Sequence, residues 1–285
     1  MAVNNSDRNG RALEYAVVNE LSNLPNATLT PRAIKDNTRD LAKLNEIFQV
    51  EPQLYQKYIT AAKKISTWIS SKFINQAITI DRLPDSKTSV TDVTISSPSA
   101  KLEISLKHNH FALKHLRPYS IAQACGYGKL MQQDIDHRAL MKIVDNDFRA
   151  STNGEKNYNT CDLTKLYSDV YKACETTINT CSITDANLAK NLFGFLVNTG
   201  FYKVIVSTGA NASVTVQDYL SLASVNKVNA YINPKTKYLT LSFSNGWEIS
   251  LRVHTAATKI SKANSQLSLK FDAQRVIGTI NEFSL

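Results

Sequence analysis

The first third of the chain places its apolar residues three or four positions apart, which is the spacing of a helix with one buried face. This pattern predicts three helices, at Asp7–Leu21, Pro31–Phe48 and Pro52–Phe73. The second and third begin with proline, a residue that suits the first turn because it has no N–H to satisfy. Residues 1–75 are therefore predicted to form a helical N-terminal part.

Strict alternation of apolar and polar side chains replaces this spacing in the next segment, 76–118. Alternation of this kind is typical of strands, and it predicts strands at Ala77–Ile80, Val90–Ser96 and Leu102–Lys107. The last two are close enough in sequence to form a hairpin that turns at Ser96–Ser99. A sheet is therefore predicted directly after the helical part.

Helical spacing returns over 119–200 and strands dominate from 201 to 285. The predicted helices are Ser120–Val144, Leu163–Thr177 and Asp185–Val197. The predicted strands of the last segment are Tyr202–Ser207, Ser213–Val216, Lys227–Ile232, Tyr238–Phe243 and Trp247–Val253. No repeat or low-complexity linker interrupts the pattern, so we predict one α/β domain over 1–285, in which helices flank a mixed central sheet and the C-terminal part is β-rich.

Three polar side chains of the predicted hairpin carry the candidate chemistry. In the strand Leu102–Lys107, Glu103 and Lys107 point to one face and the leucines and isoleucine point to the other. Asp92 lies in the preceding strand, so its carboxylate is expected at the same polar edge. Two carboxylates and a lysine would then share one edge of the sheet.

These groups match the needs of phosphodiester hydrolysis. Asp92 and Glu103 offer the hard oxygen ligands that Mg²⁺ prefers, and Lys107 offers a positive charge that orients water or stabilises the developing negative charge. The alternative interpretation is an ordinary exposed hairpin, because such strands alternate by default and an E-x-x-x-K spacing is common by chance.

Composition and charge favour a polyanionic partner. The chain has 33 Lys and Arg against 24 Asp and Glu, a net charge of +9 and a pI near 9.3, and 43% of its residues are hydrophobic. Such a chain buries a full core and attracts nucleic acid, although an anionic membrane would attract it too. The basic residues concentrate in 101–120 and 246–271, and three of the five histidines lie in the first of these segments.

Other function classes lack their sequence signals. No apolar run approaches the roughly 18 residues of a membrane span, and the N-terminus lacks the apolar core of a signal peptide, so a cytoplasmic protein is expected. The four cysteines form no C-x-x-C pair and have no histidine at ligand spacing, which indicates neither a zinc site nor a disulfide framework. A phosphate-cradling loop and a G-x-S-x-G motif are also absent from the sequence.

The chain resembles the type II restriction endonucleases of the PD-(D/E)XK superfamily and, among them, the HaeIII family. The motifs that carry this resemblance are G-R-A-L-E-Y, D-(x10)-E-x-S-x-K, K-H-N-H-F-A-L-K-H-L-R-P-Y-S, L-R-V-H-T-A and S-L-K-F-D. The resemblance spans nearly the whole chain. It implies a central sheet of the restriction-endonuclease-like type and a Mg²⁺-dependent enzyme of a bacterial or archaeal restriction-modification system, which cuts double-stranded DNA at a short palindrome, GGCC.

Carried over by position, the resemblance implies a set of catalytic residues. Asp92 would be the first metal ligand, Glu103 the second acid, Lys107 the catalytic lysine, and Glu14 the helix-borne glutamate beside the metal. The chain departs from the family pattern at Ser105, where an acid is expected two residues before the lysine. Glu103 is two residues further back, and period-two alternation keeps it on the same face.

DNA contacts are expected from the two basic segments. Arginine and lysine donate to guanine O6 and N7, and an acid accepts from cytosine N4, so a G·C-only site requires mainly basic residues and a few acids. The candidates are Lys114, His115, Arg117, Arg252 and His254. A palindrome is most simply matched by a homodimer, and a restriction enzyme is encoded beside a DNA methyltransferase that protects the host. Two alternatives remain: a non-catalytic DNA-binding protein, and a structure-specific or repair nuclease of the same fold.

Overall fold

Three helices form where the helical spacing predicts them, and together with a seven-stranded sheet they make the first of two compact units. The computed structural model describes residues 5–84, 90–109, 113–210, 212–220, 222–262 and 265–285. The first unit comprises Met1–Ala112, Thr199–Leu222 and Ile280–Leu285, and the second comprises Leu113–Asn198 and Ala223–Thr279. The prediction of one domain over 1–285 stays a prediction, because compactness does not decide whether a unit folds alone.

The helices of the first unit are α1 (Asn5–Ser22), α2 (Pro31–Val50) and α3 (Pro52–Lys72). Thr30 caps α2, since its side-chain oxygen accepts a hydrogen bond from the N–H of Ala33 at 3.1 Å. The apolar stripes of α1 and α3 are buried in one core with the apolar face of the sheet. Each stripe thus fixes which face of its helix turns inward.

The sheet of the first unit has the order β1-β2-β3-β4-β5-β6-β11 and mixes parallel with antiparallel pairs. Its strands are β1 (Ala27–Leu29), β2 (Ile78–Arg82), β3 (Val93–Ser96), β4 (Lys101–His108), β5 (Tyr202–Ser207), β6 (Ser213–Asp218) and β11 (Asn281–Ser284). The β1–β2 and β4–β5 pairs are parallel and the others antiparallel. The predicted hairpin is confirmed as β3–β4, in which Ser96 pairs with Lys101 and Ser97 N–H donates to Ala100 O at 2.8 Å.

The second unit contains α4 (Ile121–Ala124), α5 (Gln132–Ser151), α6 (Thr164–Ser182) and α7 (Leu188–Leu196) and an antiparallel sheet. That sheet has the order β10-β9-β8-β7, formed by β7 (Val228–Ile232), β8 (Leu239–Phe243), β9 (Glu248–Thr255) and β10 (Leu269–Ile277). Its apolar face packs on α6 and α7 through ring contacts, Tyr171 with Phe271 and Phe193 with Phe243. Residues 110–112, within the motif that follows β4, lie outside the described residues.

The predicted fold class is confirmed: the chain is mixed α/β, helices flank a mixed sheet, and the C-terminal part is β-rich. The single helix predicted over Ser120–Val144 is wrong, because α4 ends at Ala124 and α5 begins at Gln132. Gly126 adopts φ +102° and Leu130 φ +72°, values that a right-handed helix does not allow. No helix in the described part of the chain combines the length and apolar character of a membrane crossing.

Candidate active site and nucleic-acid interface

Asp92 and Lys107 meet at one end of the β3–β4 hairpin. The N–H of Asp92 donates to Ile104 O at 2.8 Å, which extends the ladder by one residue beyond β3. Its Oδ2 accepts hydrogen bonds from Leu106 N at 2.7 Å, from Ser105 Oγ at 3.2 Å and from Lys107 Nζ at 3.2 Å. The structure therefore brings together the predicted first metal ligand and the predicted catalytic lysine.

Burial and hydrogen bonding act in opposite directions on the pKa of Asp92. Desolvation raises the pKa of the Asp92 carboxyl, while Lys107 and the hydrogen bonds from Leu106 and Ser105 lower it. The hydrogen bonds found to this carboxylate among the described residues all reach Oδ2. Oδ1 is thus the oxygen left for a cation, and a bound divalent ion would offset the cost of burying the charge.

Glu103 lies on the predicted face of β4 but has partners of its own. One carboxylate oxygen accepts from Thr91 Oγ1 at 3.1 Å, and the other pairs with Lys101, whose side chain is 61% exposed. Within the described ranges no group of three or more His, Cys, Asp or Glu side chains is arranged to hold a metal. Mg²⁺ needs only one or two carboxylates with water and substrate phosphate, and the role of Asp92 and Glu103 as its ligands stays a prediction.

Glu14 is held near Asp92 by a buried ion-pair network. It pairs with Arg82, a β2 side chain that is only 2% exposed and also binds Asp40 Oδ2 of α2 at 2.8 Å. Burial raises the pKa of Glu14, and the negative charge of Asp92 raises it further, against the opposing charge of Arg82. The charge of Asp92 thus acts on Glu14, and the place of Glu14 beside a metal stays a prediction.

Lys203 is a buried residue of the same sheet face that the sequence interpretation missed. It pairs in register with Ser105 across the parallel strands β4 and β5, so the two side chains share a face. Its Nζ donates to Tyr219 Oη at 3.1 Å and the residue is 3% exposed. Desolvation, with a smaller effect of Lys107, lowers the pKa of Lys203 to about 8. A lysine within the apolar run Y-K-V-I-V was the signal that could have found it.

Replacing Lys203 by Met is expected to raise the free energy of unfolding at pH 7, by on the order of 2 kcal/mol. The folded-state pKa of about 8 lies below the ordinary 10.5, so the unfolded state binds more protons between these values and wild-type stability rises with pH there. Urea unfolding at pH 7 and pH 10 measures this, and the variant should lose the rise. Lys165→Met, at a 73% exposed side chain, is the control and should retain it.

A basic cluster forms on one face of the sheet in the second unit. Arg252 and His254 alternate along β9, and they pair in register with Asp272 and Lys270 of β10. A bridge between Leu116 and Phe271 places the segment containing His115 along the other side of β10. Asp272 is therefore surrounded by three predicted DNA-binding residues, Arg252, His254 and His115, and Lys270 lies beside them.

The distances around Asp272 are those of ion pairs. His115 Nδ1 lies 3.2 Å from Oδ1, His254 Nδ1 lies 3.3 Å from Oδ2, and Lys270 Nζ lies 3.9 Å from Oδ1. Burial lowers the pKa of His254; Asp272 opposes this, whereas Lys270 and Arg252 reinforce it. Lys270 and Asp272 were missed because the strand β10 was not predicted.

The remaining two candidates differ in their surroundings. Arg117 is exposed and lies two residues beyond His115, on the same side of an extended segment. Lys114 instead packs its ammonium over the Phe195 ring at 4.7 Å, and its N–H donates to Leu196 O at 3.1 Å. Desolvation lowers the pKa of Lys114. The structure thus makes Arg117 the more accessible cation of the two.

The comparison with known proteins gives one relative that spans the chain. The protein is similar to the type II restriction enzyme HaeIII of Haemophilus aegyptius, with 23% identity over 318 aligned positions that cover 96% of this chain and 95% of that enzyme. No protein-family profile and no solved structure matches the chain. Similarity over the full length of both proteins supports a relationship to restriction enzymes.

Proposed function

We propose that this protein is a Mg²⁺-dependent type II restriction endonuclease that hydrolyses double-stranded DNA at a short palindromic G/C-rich site, GGCC. The observation that carries the proposal is the contact of Asp92 Oδ2 with Lys107 Nζ at 3.2 Å, at the end of two central strands of a mixed sheet. The full-length similarity to a restriction enzyme supports the same function. The net charge of +9 suits a DNA substrate.

Asp92 and Glu103 would hold one or two Mg²⁺ ions. When bound, Mg²⁺ neutralises charge on the scissile phosphate and increases the acidity of water. Lys107 stabilises the negative charge that develops on the phosphate and orients the attacking water. The water oxygen bonds to phosphorus in line with the P–O3′ bond, which breaks to leave a 5′-phosphate and a 3′-hydroxyl.

Glu14 and the buried cation Arg82 act behind these groups. The Glu14 carboxylate raises the negative potential at Asp92, which favours a divalent cation there. The pairing of Arg82 with Glu14 and Asp40 fixes the position of the glutamate between helix α1 and strand β2. We propose that Glu14 orients the groups that bind the metal and does not itself react.

The basic cluster of the second unit supplies DNA contacts. Arg117 and Arg252 are the candidates for contacts with guanine, since arginine donates in a bidentate manner to O6 and N7. His115, His254 and Lys114 are assigned to phosphate or base contacts. Because the site is palindromic, the active form is a homodimer with one active site for each strand, and sedimentation of the protein with a site-bearing duplex tests it. The cognate methyltransferase is a genetic partner.

Digestion of a plasmid of known sequence tests the proposal. We expect discrete fragments with Mg²⁺, none with EDTA, and fragment ends that map within GGCC. Sequencing both ends of each fragment identifies the site and the terminal phosphate. Intact DNA that is retarded on a gel would instead indicate a non-catalytic DNA-binding protein. Cleavage at flaps, mismatches or lesions, and not at one sequence, would indicate a repair nuclease.

A further inference from the structure

Asp272 is the acidic member of a basic surface. Its side chain is 27% exposed, and its ion-pair neighbours are His115, His254 and Lys270. Arg252 lies directly across the strand pair β9–β10 in register. An acid among cations that bind DNA repels phosphate, so on this surface it reduces general affinity.

The hydrogen-bonding capacity of this carboxylate is incompletely used. Asp272 Oδ1 and His254 Nδ1 are buried, and neither has a hydrogen-bond partner among the described residues, although both lie at ion-pair distance from another group. Unused buried acceptors cost free energy until a donor reaches them. His115, which covers Oδ1, is itself 64% exposed and therefore displaceable by a ligand.

The strands around Asp272 place a donor and an acceptor side by side. β10 lies between β9 and the segment of Leu116, whose carbonyl accepts from Phe271 N–H at 2.8 Å. In the major groove a G·C pair presents the guanine acceptors O6 and N7 beside the cytosine N4 donor. Arg252 and Asp272, opposite each other in register, offer the donor and the acceptor that complement this edge.

We propose that Asp272 is a specificity-determining residue that accepts a hydrogen bond from a cytosine amino group in the recognised sequence. The inference rests on the proposed function and assigns the base that one side chain reads. The carboxylate weakens binding to every phosphate backbone, and a cytosine N4–H offsets that loss only at the cognate site. One residue then raises affinity for the site relative to other DNA.

Binding of two duplexes in EDTA tests this reading. One duplex carries the site mapped by digestion, and the other replaces one cytosine of the site by 2-pyrimidinone deoxynucleoside, which lacks the 4-amino group. We expect the wild-type protein to lose about tenfold in affinity when the amino group of the contacted cytosine is removed. Asp272→Ala, which has no side-chain acceptor, should bind both duplexes within about twofold, and a duplex without the site about threefold more tightly than wild type does.

The control variant is Asp169→Ala, which removes a partly exposed acid of α6 and should keep the wild-type preference. Wild-type protein that ignores amino-group removal at every cytosine would overturn the inference, whether or not Asp272→Ala folds. An unchanged preference in a folded Asp272→Ala variant would overturn it too. Digestion of plasmid DNA by the wild-type protein tests the proposed function separately, because site-specific cleavage does not depend on which residue contacts cytosine.

Discussion

Asp92→Asn is expected to reduce the cleavage rate by at least about a thousandfold, which corresponds to roughly 4 kcal/mol of transition-state stabilisation. The change removes the negative charge that would hold Mg²⁺ and leaves Lys107 without the carboxylate that lies 3.2 Å from its Nζ. Binding of DNA in EDTA should persist, because the basic cluster lies in another part of the sequence. Initial rates at saturating Mg²⁺ and gel shifts in EDTA measure the two effects.

The stability of Asp92→Asn shows whether a loss of cleavage comes from a catalytic defect or from a folding defect. Burial raises the pKa of Asp92 in the folded protein, so above its ordinary value the ionised carboxylate costs stability, and the neutral amide removes that cost. The midpoint of thermal unfolding should therefore be unchanged or slightly raised. Asp169→Asn provides the matched control and should cleave as the wild type does. A variant at Asp92 that retains cleavage within tenfold would disprove the metal-ligand assignment.

Period-two alternation explains why the sequence could predict the contact between Asp92 and Lys107. The apolar residues of β4 must face the core, which fixes the opposite direction for Glu103 and Lys107. The short turn before Lys101 then sets the register that brings Asp92 alongside. Both constraints are local in sequence, so they can be recognised without a structure.

The contacts of Glu103 and Glu14 depend on geometry that alternation does not encode. Glu103 pairs with Thr91 and Lys101, and those choices follow from side-chain rotamers at the hairpin. The network of Arg82 joins helices α1 and α2 to strand β2, whose residues are far apart in sequence. Long-range pairing of this kind needs the tertiary fold.

The sequence contained signals for two features that were not predicted, the strand β10 and the break within the helix Ser120–Val144. Leu267, just before β10, and Leu269 and Phe271 within it alternate with polar residues, and all three are buried, so period two was available to predict the strand. The break within Ser120–Val144 was signalled by Gly126, whose positive φ a helix cannot use. A Cβ added there would lie 2.1 Å from Asn191 Nδ2, which explains why the turn has a glycine.

Arg82→Ala is expected to destabilise the protein by about 3–5 kcal/mol at pH 7. Arg82 is 2% exposed and lies between Glu14 and Asp40, and it also donates to Asn37 Oδ1 at 3.2 Å. Its removal leaves the partly buried Glu14 without the cation it pairs with, and leaves the buried Asp40 with Arg39 alone. Urea unfolding at pH 7 measures the loss.

The same variant should be less impaired in acid, because protonation removes the uncompensated charge. The pKa of Glu14 is already raised by burial, and loss of Arg82 raises it further. Burial also opposes ionisation of Asp40, but Arg39 and Arg82 together keep its pKa below 3.8, so its stabilising contribution is present above that value and lost below it. The stability difference between wild type and Arg82→Ala should therefore shrink as the pH falls from 7 towards 4.

Arg39→Ala is the matched control, since this 52% exposed side chain binds the same Asp40 carboxylate from the surface. It should cost under about 1 kcal/mol, because solvent screens the pair. Arg82→Lys keeps the charge but lacks the planar fork, whose Nη2 contacts both acids while Nη1 donates to Asn37, so its stability should be intermediate. If Arg82→Ala and Arg39→Ala cost the same, the buried network would not hold Glu14 beside Asp92, and the orienting role proposed for Glu14 would lose its physical basis.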